Sequence, residues 1–155
     1  MEAAVKDKIN VIFVCLGNIC RSPMAEFLFK KMTKSKGYVI SSAATSYEEE
    51  GSPLHYGTRR ILDRLGIDYS GFSAHRLTKA ECDNADYLIG MEQSNLSGIK
   101  RICGRENEYK VHRLLDFTDF PHDIADPWYT HDFDTTYREI SLGLTAFLKA
   151  TEGEK

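Results

Sequence analysis

The chain has 155 residues, 42% of them hydrophobic and 28% charged, which is typical of one domain large enough to bury a single core without disulfides. Its formal net charge of −3 argues against nucleic acid as a partner, because that role usually requires a basic surface. No apolar run is long enough to span a membrane, and Met1 to Asn10 lack the apolar core of a signal peptide, so we expect a cytoplasmic protein without a membrane contact.

The first predicted element is a short strand at Val11–Val14, whose β-branched and aromatic residues suit a strand buried on both faces. A loop from Cys15 to Arg21 follows, and then a helix with Ser22 as its cap and Pro23 as its first residue. Such a turn directs backbone N–H groups and the positive end of the helix dipole into one space. The sequence therefore predicts an anion site at this loop.

Two side chains give this loop its chemistry. Cys15 opens the loop and Arg21 closes it six positions later. A thiolate is favoured beside a fixed positive charge and an amide nest. A guanidinium binds two oxygens of a phosphate at once. We therefore predict that Cys15 is a nucleophile aimed at a bound oxyanion.

The rest of the chain alternates between helical and strand patterns. The predicted elements are a helix from Pro23 to a stop at Gly37, a strand at Tyr38–Ile40, a helix at Pro53–Leu65, a short helix from a capping box at Thr78–Glu81, a strand at Tyr87–Gly90, a helix at Met91–Ile102, a strand at Lys110–Arg113 and a last helix from Phe133 to Leu148. This order predicts an α/β three-layer sandwich with a central four-stranded parallel sheet and helices on both faces. Ligands bind such sheets beyond the carboxyl ends of the strands, where the Cys15 loop lies.

A long polar loop after Leu115 supplies candidate acids. It contains two prolines and several aspartates, namely Asp116, Asp119, Asp123 and Asp126, with Asp132 and Asp134 close behind. Most loop aspartates are solvated or cap helices, and Asp132 suits the start of the last helix. Asp126 differs because Pro127 follows it and favours an extended backbone. Asp126 is therefore one candidate general acid among these aspartates.

The two motifs resemble those of one known family. Val14 to Glu26 reads VCLGNICRSPMAE, and Asp126-Pro127-Trp128-Tyr129 lies near the other end of the chain. Together they resemble the low-molecular-weight protein tyrosine phosphatase family over essentially the whole chain, as one domain at residues 1–155. The resemblance implies a cysteinyl-phosphate intermediate and catalytic roles for Cys15, Arg21 and Asp126. It also implies a reaction without a metal or another cofactor.

Further site residues follow from the resemblance. It implies that the loop binds phosphate through Leu16, Gly17, Asn18, Ile19, Cys20, Arg21 and Ser22. It implies a supporting hydrogen-bond network of Asn18, Ser22 and Ser42, and a substrate pocket walled by Ile19, Tyr47, Trp128 and Tyr129. Because Cys20 lies five residues from Cys15, we also predict that it is a redox partner able to trap an oxidised Cys15 as a disulfide.

The chain departs from the family pattern at two positions. Phe72 stands where the family has a histidine in the loop network, and His75 is out of register, so we assign His75 no role there. Tyr47 is the nearest aromatic residue to a position where the family often has tryptophan. Three glutamates, Glu48 to Glu50, are interpreted as a solvated loop, with a role in substrate choice left open.

Other functions remain open from the sequence. An arsenate reductase would need relay cysteines after the third strand, where Ile89 to Glu92 offer none. A protein-arginine phosphatase typically has threonine where Ile19 stands. A phosphate-binding or phosphocysteine carrier module would use the same loop without needing Asp126.

The expected partners follow from the favoured function. They are phosphotyrosine-containing proteins or small aryl phosphates, with inorganic phosphate as product or inhibitor. We expect a monomer or at most a weak dimer.

Overall fold

The computed structural model describes residues 8–154. Its strands are β1 (Ile9–Cys15), β2 (Tyr38–Ala44), β3 (Tyr87–Gly90) and β4 (Val111–Arg113). Its α-helices are α1 (Arg21–Thr33), α2 (Tyr56–Arg64), α3 (Lys79–Asn84), α4 (Gln93–Cys103), α5 (Pro127–Thr130) and α6 (Phe133–Thr151), joined in places by 3-10 turns. The signal-peptide prediction rests largely on residues 1–7, which lie outside the described residues.

All strand pairs are parallel, in the order β2-β1-β3-β4. The central strand β1 is almost wholly buried because it pairs on both edges and is covered on both faces, as its unbroken apolar sequence requires. Val11 lies opposite Ile40 of β2 and Tyr87 of β3. The predicted four-stranded parallel sheet is confirmed.

Two apolar layers cover the sheet. On one face, β1 packs against α1 and α6 through Phe13, Phe29 and Phe147, whose rings meet edge to face with centroids 5.8 and 6.3 Å from that of Phe13. On the other face, Ile12 and Val14 pack with residues of α3 and α4. This is the predicted three-layer arrangement, and it brings the carboxyl end of β1 to the edge where the Cys15 loop begins.

Several element boundaries differ from the predictions. The helix predicted over Pro53–Leu65 begins at Tyr56, because His55 caps it by accepting a hydrogen bond from the Gly57 N–H. The capping box at Thr78 is confirmed, with the Glu81 N–H bonded to its hydroxyl. The long loop after Leu115 is less irregular than expected, since it contains the one-turn helix α5.

The described residues contain one disulfide. Cys82 of α3 and Cys103 of α4 form a disulfide inside the second apolar layer, with Cα atoms 5.4 Å apart, which the sequence spacing did not predict. Cys15 and Cys20 are free thiols.

Within residues 8–154, no helix has the length and apolar character needed to cross a membrane.

Candidate active site

A cleft of about 570 Å³, its open mouth included, lies at the carboxyl end of β1. Its lining combines the Cys15 loop with residues from two distant segments: Cys15, Leu16, Gly17, Ile19, Cys20, Arg21, Glu48, Glu49, Asp126, Trp128 and Tyr129. Cys15, Arg21 and Asp126, which the sequence predicts as catalytic, therefore share one cleft. Asn18 and Ser22 do not line it, because their side chains are fully buried.

Cys15 lies at the base of the cleft and is nearly buried. Its Sγ is 3.0 Å from Ser22 Oγ and accepts a hydrogen bond from the Ser22 N–H at 3.4 Å. Ser22 is able to do this because α1 begins one residue earlier, at Arg21. The prediction of Ser22 as the helix cap is therefore wrong: Cys20 is at that position, and the first turn of α1 points at the sulfur.

Arg21 is only 1% exposed despite its charge. Its Nη1 lies 3.0 Å from Glu92 Oε2 and donates to the Ile124 carbonyl at 2.8 Å, and its Nη2 lies 3.4 Å from Asp126 Oδ2. Burial alone would lower the pKa of Arg21, but the charges of Cys15, Glu92 and Asp126 outweigh it and raise this pKa. The guanidinium is therefore a permanent and fixed cation in the cleft.

Asp126 has a defined orientation. Its Oδ1 accepts a hydrogen bond from the Trp128 N–H at 3.0 Å and so caps α5, while Oδ2 faces Arg21. The other aspartates are engaged elsewhere or exposed: Asp116 and Asp123 pair with Arg113, Asp132 caps α6, Asp134 pairs with Arg64, and Asp119 is at the surface. Among the loop aspartates, Asp126 is the one that lines the cleft.

A hydrogen-bond network supports the loop from below. The Asn18 amide Nδ2 donates to Ser22 Oγ and to Ser42 Oγ, each at 2.9 Å. The Ser42 hydroxyl donates to Glu26 Oε1 at 2.6 Å. Asn18 adopts a positive φ of 59°, which a short polar side chain tolerates and which turns its amide inward. The three predicted network residues are thus joined, and Glu26 extends the network.

The cleft has an apolar wall and an acidic wall. Ile19, Trp128 and Tyr129 line it, and the Trp128 ring meets His55 edge to face at 5.5 Å. Tyr47 does not line the cleft, because its ring lies over the Arg76 guanidinium at 4.6 Å. Glu48 and Glu49 occupy that side instead, so part of the supposed solvated loop faces the cleft.

Cys20 also lines the cleft but differs from Cys15 in its electrostatics. Burial and the neighbouring charge of Cys15 raise the pKa of the Cys20 thiol far above its usual range, and Asp126 adds to this. Cys20 is therefore protonated and does not compete as a nucleophile.

The structure shows what Phe72 and His75 contact. Phe72 packs edge to face against Phe27 at 6.0 Å and takes no part in the network. The His75 imidazole pairs with Glu81, as expected for a histidine outside the network, but its backbone N–H donates to Asn18 Oδ1 at 3.2 Å.

The sequence reasoning missed Glu92 and Glu26. Glu92 follows β3, at the same sheet edge as the Cys15 loop. That position after a parallel strand could have indicated that Glu92 lies near the site. Glu26 belongs to the VCLGNICRSPMAE motif but was given no role. Its contact with Ser42, 16 residues away, depends on how α1 packs on β2.

A thiol, a guanidinium and a carboxyl group meeting in one cleft is the arrangement that cysteine-dependent phosphatases use. Residues 10–155 match the family model described as low molecular weight phosphotyrosine protein phosphatase. The chain belongs to that family.

Relatives and solved structures agree with this assignment. The chain is 37% identical over 153 residues to the low molecular weight protein-tyrosine-phosphatase YfkJ of Bacillus subtilis, covering 95% of this chain and 98% of that protein. It is 36% identical to PtpA of Staphylococcus epidermidis, covering 85% of this chain and 86% of that one. The crystal structure of YfkJ matches with a TM-score of 0.90 at 36% identity, covering 96% of this chain and 97% of that chain. That of SP-PTP from Streptococcus pyogenes matches at 0.85 and 37% identity, covering 92% of each chain.

Proposed function

We propose that this protein is a phosphotyrosine-protein phosphatase that hydrolyses aryl phosphate monoesters through a cysteinyl-phosphate intermediate. The observation that carries this proposal is the meeting of Cys15, Arg21 and Asp126 in one cleft. Family membership and relatives named protein-tyrosine-phosphatases support it.

In the first step, the Cys15 thiolate attacks phosphorus opposite the ester oxygen. The S–P bond forms as the P–O bond to the aryl group breaks. Arg21 and the amides of residues 16–22 hold the remaining phosphate oxygens and stabilise the charge that develops on them. Asp126 gives its proton to the departing oxygen, which leaves as the tyrosine hydroxyl.

In the second step, water attacks the phosphocysteine. Asp126 is now a carboxylate and takes a proton from this water, the S–P bond breaks, and inorganic phosphate and the thiolate are regenerated. Ser22 stabilises that thiolate, since both its N–H and its hydroxyl lie at the sulfur.

The apolar wall favours an aryl ester. Ile19, Trp128 and Tyr129 offer flat and apolar surfaces on which a phenyl ring can stack. Cys15 lies deep in the cleft, so phosphotyrosine is long enough to bring its phosphorus to the sulfur, whereas phosphoserine is too short.

We propose in addition that Cys20 protects Cys15 from irreversible oxidation. A peroxide would convert the Cys15 thiolate to a sulfenic acid, and attack by Cys20 would form the disulfide and release water. The loss of the Cys15 charge in that step also removes one of the causes that raise the Cys20 pKa.

The remaining proposals concern the whole chain. We propose that residues 1–155 form one domain that acts as a monomer or weak dimer in the cytoplasm and needs no metal. The single four-stranded sheet found within residues 8–154 supports one domain. The need for a free thiol at Cys15 supports a reducing compartment.

The test is phosphate release from a phosphotyrosine peptide, a phosphoserine peptide and phosphoarginine, measured side by side in the presence of a chelator. We expect turnover of the tyrosine ester alone. Cys15→Ser should abolish turnover, and Asp126→Ala should lower kcat by about 10² or more because the leaving group then departs without a proton.

Asp119→Ala is the matched control, since it removes an exposed aspartate from the same loop. A preference for phosphoarginine would keep the mechanism and overturn the substrate. Turnover that survives Cys15→Ser would overturn the mechanism.

A further inference from the structure

The orientation of the Asn18 side chain is fixed by its three partners. Its Oδ1 accepts the His75 backbone N–H at 3.2 Å, so its amide nitrogen must face the two serines. Both amide hydrogens are then used, one on Ser22 Oγ and one on Ser42 Oγ. Asn18 is therefore a donor to both hydroxyls.

This orientation decides the direction of the next hydrogen bonds. A hydroxyl has one proton, and each serine oxygen already accepts a hydrogen from Asn18. The Ser42 proton therefore goes to Glu26 Oε1, at 2.6 Å. The Ser22 proton goes to Cys15 Sγ at 3.0 Å, since the other acceptor, the Ala43 carbonyl, is farther away at 3.4 Å.

The chain of donors requires an acceptor at its far end. Glu26 fills that role, since its Oε1 accepts the Ser42 proton while its Oε2 faces Lys30. The Glu26 side chain is only 10% exposed, and a carboxylate with so little water needs a positive partner. Lys30, one turn later on α1, places its Nζ 2.6 Å from Glu26 Oε2.

Lys30 is held in place from a second side. Its Nζ lies 5.0 Å above the Phe27 ring, and that ring packs against Phe72. The lysine is 37% exposed, so its ammonium group reaches water while it pairs with the buried carboxylate. The series Lys30, Glu26, Ser42, Asn18, Ser22, Cys15 thus connects the protein surface to the sulfur.

We propose that Lys30 is a positioning residue for Cys15: by pairing with the nearly buried Glu26 side chain that accepts the Ser42 proton, it holds in place the Ser42–Asn18–Ser22 network that ends at the sulfur. The effect of Lys30 on catalysis rests on the proposed phosphatase function. The effect of Lys30 on the reactivity of Cys15 does not rest on that function, because a hydrogen bond to a thiolate changes its reactivity in any reaction.

The test compares Lys30→Met with Lys30→Arg and Lys31→Met. Methionine keeps the length of the side chain and its packing on Phe27 but removes the charge, whereas arginine restores the charge. Lys31 is the matched control, since it follows on the same helix and its Nζ donates to the Leu65 carbonyl, away from the network. Thermal unfolding of each variant checks that the fold is retained.

Two rates are measured, namely the alkylation of Cys15 by iodoacetamide at pH 7, with the modified peptide identified by mass, and kcat and KM on an aryl phosphate. Without the Lys30 charge, the network that holds Ser22 Oγ at the sulfur should loosen. Lys30→Met should therefore change the alkylation rate of Cys15 by about fivefold or more and lower kcat by a similar factor, with little change in KM. Lys30→Arg should be close to the wild type, and Lys31→Met should match it.

The inference is overturned if Lys30→Met alkylates within about twofold of the wild type, whatever its kcat. It is also overturned if Lys30→Arg behaves like Lys30→Met, because the charge would then not be what matters. If the wild type turns over no aryl phosphate while the alkylation pattern holds, the phosphatase proposal fails and the positioning role of Lys30 stands.

Discussion

At the scale of single residues, the site depends on a buried cation with a fixed geometry. Arg21 is held by Glu92, by Asp126 and by the Ile124 carbonyl, so its guanidinium cannot rotate freely. Glu92 is fixed in turn, because the Ser94 hydroxyl donates to its other oxygen at 2.9 Å. The guanidinium that we propose binds phosphate is thus oriented before a substrate arrives, which is what electrostatic stabilisation of a transition state requires.

We predict that Glu92→Ala impairs both activity and stability. Removing one partner of a buried ion pair leaves the other charge poorly compensated, so the free energy of unfolding should fall by about 2 kcal/mol. The freed guanidinium should lower kcat/KM on aryl phosphates by about tenfold. Denaturant unfolding and steady-state kinetics check this, with Ser94→Ala as a milder control. Unchanged kinetics with lowered stability would show that Asp126 and Ile124 suffice to position Arg21.

At the scale of elements, the loop that carries Asp126 is attached to its neighbours at several points. Asp123 accepts from Arg113 and from the Gln93 N–H, and the Ile124 N–H bonds to the Met91 carbonyl. His122 adds a link to α6, through Glu139. These contacts hold the loop against the ends of β3 and β4, the start of α4 and the second turn of α6.

We predict that the His122 link depends on pH. Its Nε2 lies 2.6 Å from Glu139 Oε2 and its Nδ1 lies 2.7 Å from the Phe120 carbonyl, so both nitrogens donate only in the imidazolium form. The bond to Glu139, followed by that to Phe120, raises the pKa of His122. The stabilisation is therefore complete below the unfolded-state value of about 6.5 and is lost as the pH rises through the higher folded-state pKa.

Thermal unfolding of the wild type and of His122→Gln, at pH about 5.5 and about 8.5, measures this effect. The difference in Tm should be largest at the lower pH and should nearly close at the higher one. Taking the difference between variants removes the opposite contributions of His55 and His112, whose pKa values are lowered by burial. Glu139→Gln should reproduce the result, and an equal difference at both pH values would contradict the prediction.

At the scale of the whole molecule, the parts that sequence predicted best are those governed by local patterns. The buried strand β1 was predictable from its unbroken apolar run, because strand burial depends on consecutive residues. The loop was predictable from the spacing of Cys15 and Arg21 for the same reason. The sequence did not predict roles for Glu92, Glu26 and Lys30, since their contacts depend on how the helices and strands pack together. Tyr47 was misplaced because nothing in the sequence indicates that its ring lies on Arg76.

The four cysteines give a prediction for the whole chain. Peptide mapping without reductant, after purification in air, should recover Cys82 linked to Cys103 and should find Cys15 and Cys20 as free thiols. Peroxide should then link Cys15 to Cys20, and Cys20→Ser should instead let Cys15 proceed to the sulfinic acid.

Either a free Cys82 in air-exposed protein or a sulfinic acid at Cys15 in the oxidised wild type would contradict the corresponding part of this prediction. Inorganic phosphate added before the peroxide should slow the oxidation of Cys15, since it would occupy the loop that faces the sulfur.

The hydrogen bond between Asp126 and the Trp128 N–H joins two parts of the proposed reaction. The proposed acid and the indole ring that lines the cleft are joined through one short turn. Under the proposed mechanism, a ligand that does not place its ring against Trp128 also does not place its ester oxygen beside the Asp126 carboxyl group. Binding of the aryl ring and proton transfer to the ester oxygen are then coupled. An alkyl ester, which has no ring to place against Trp128, should lose both binding and proton transfer.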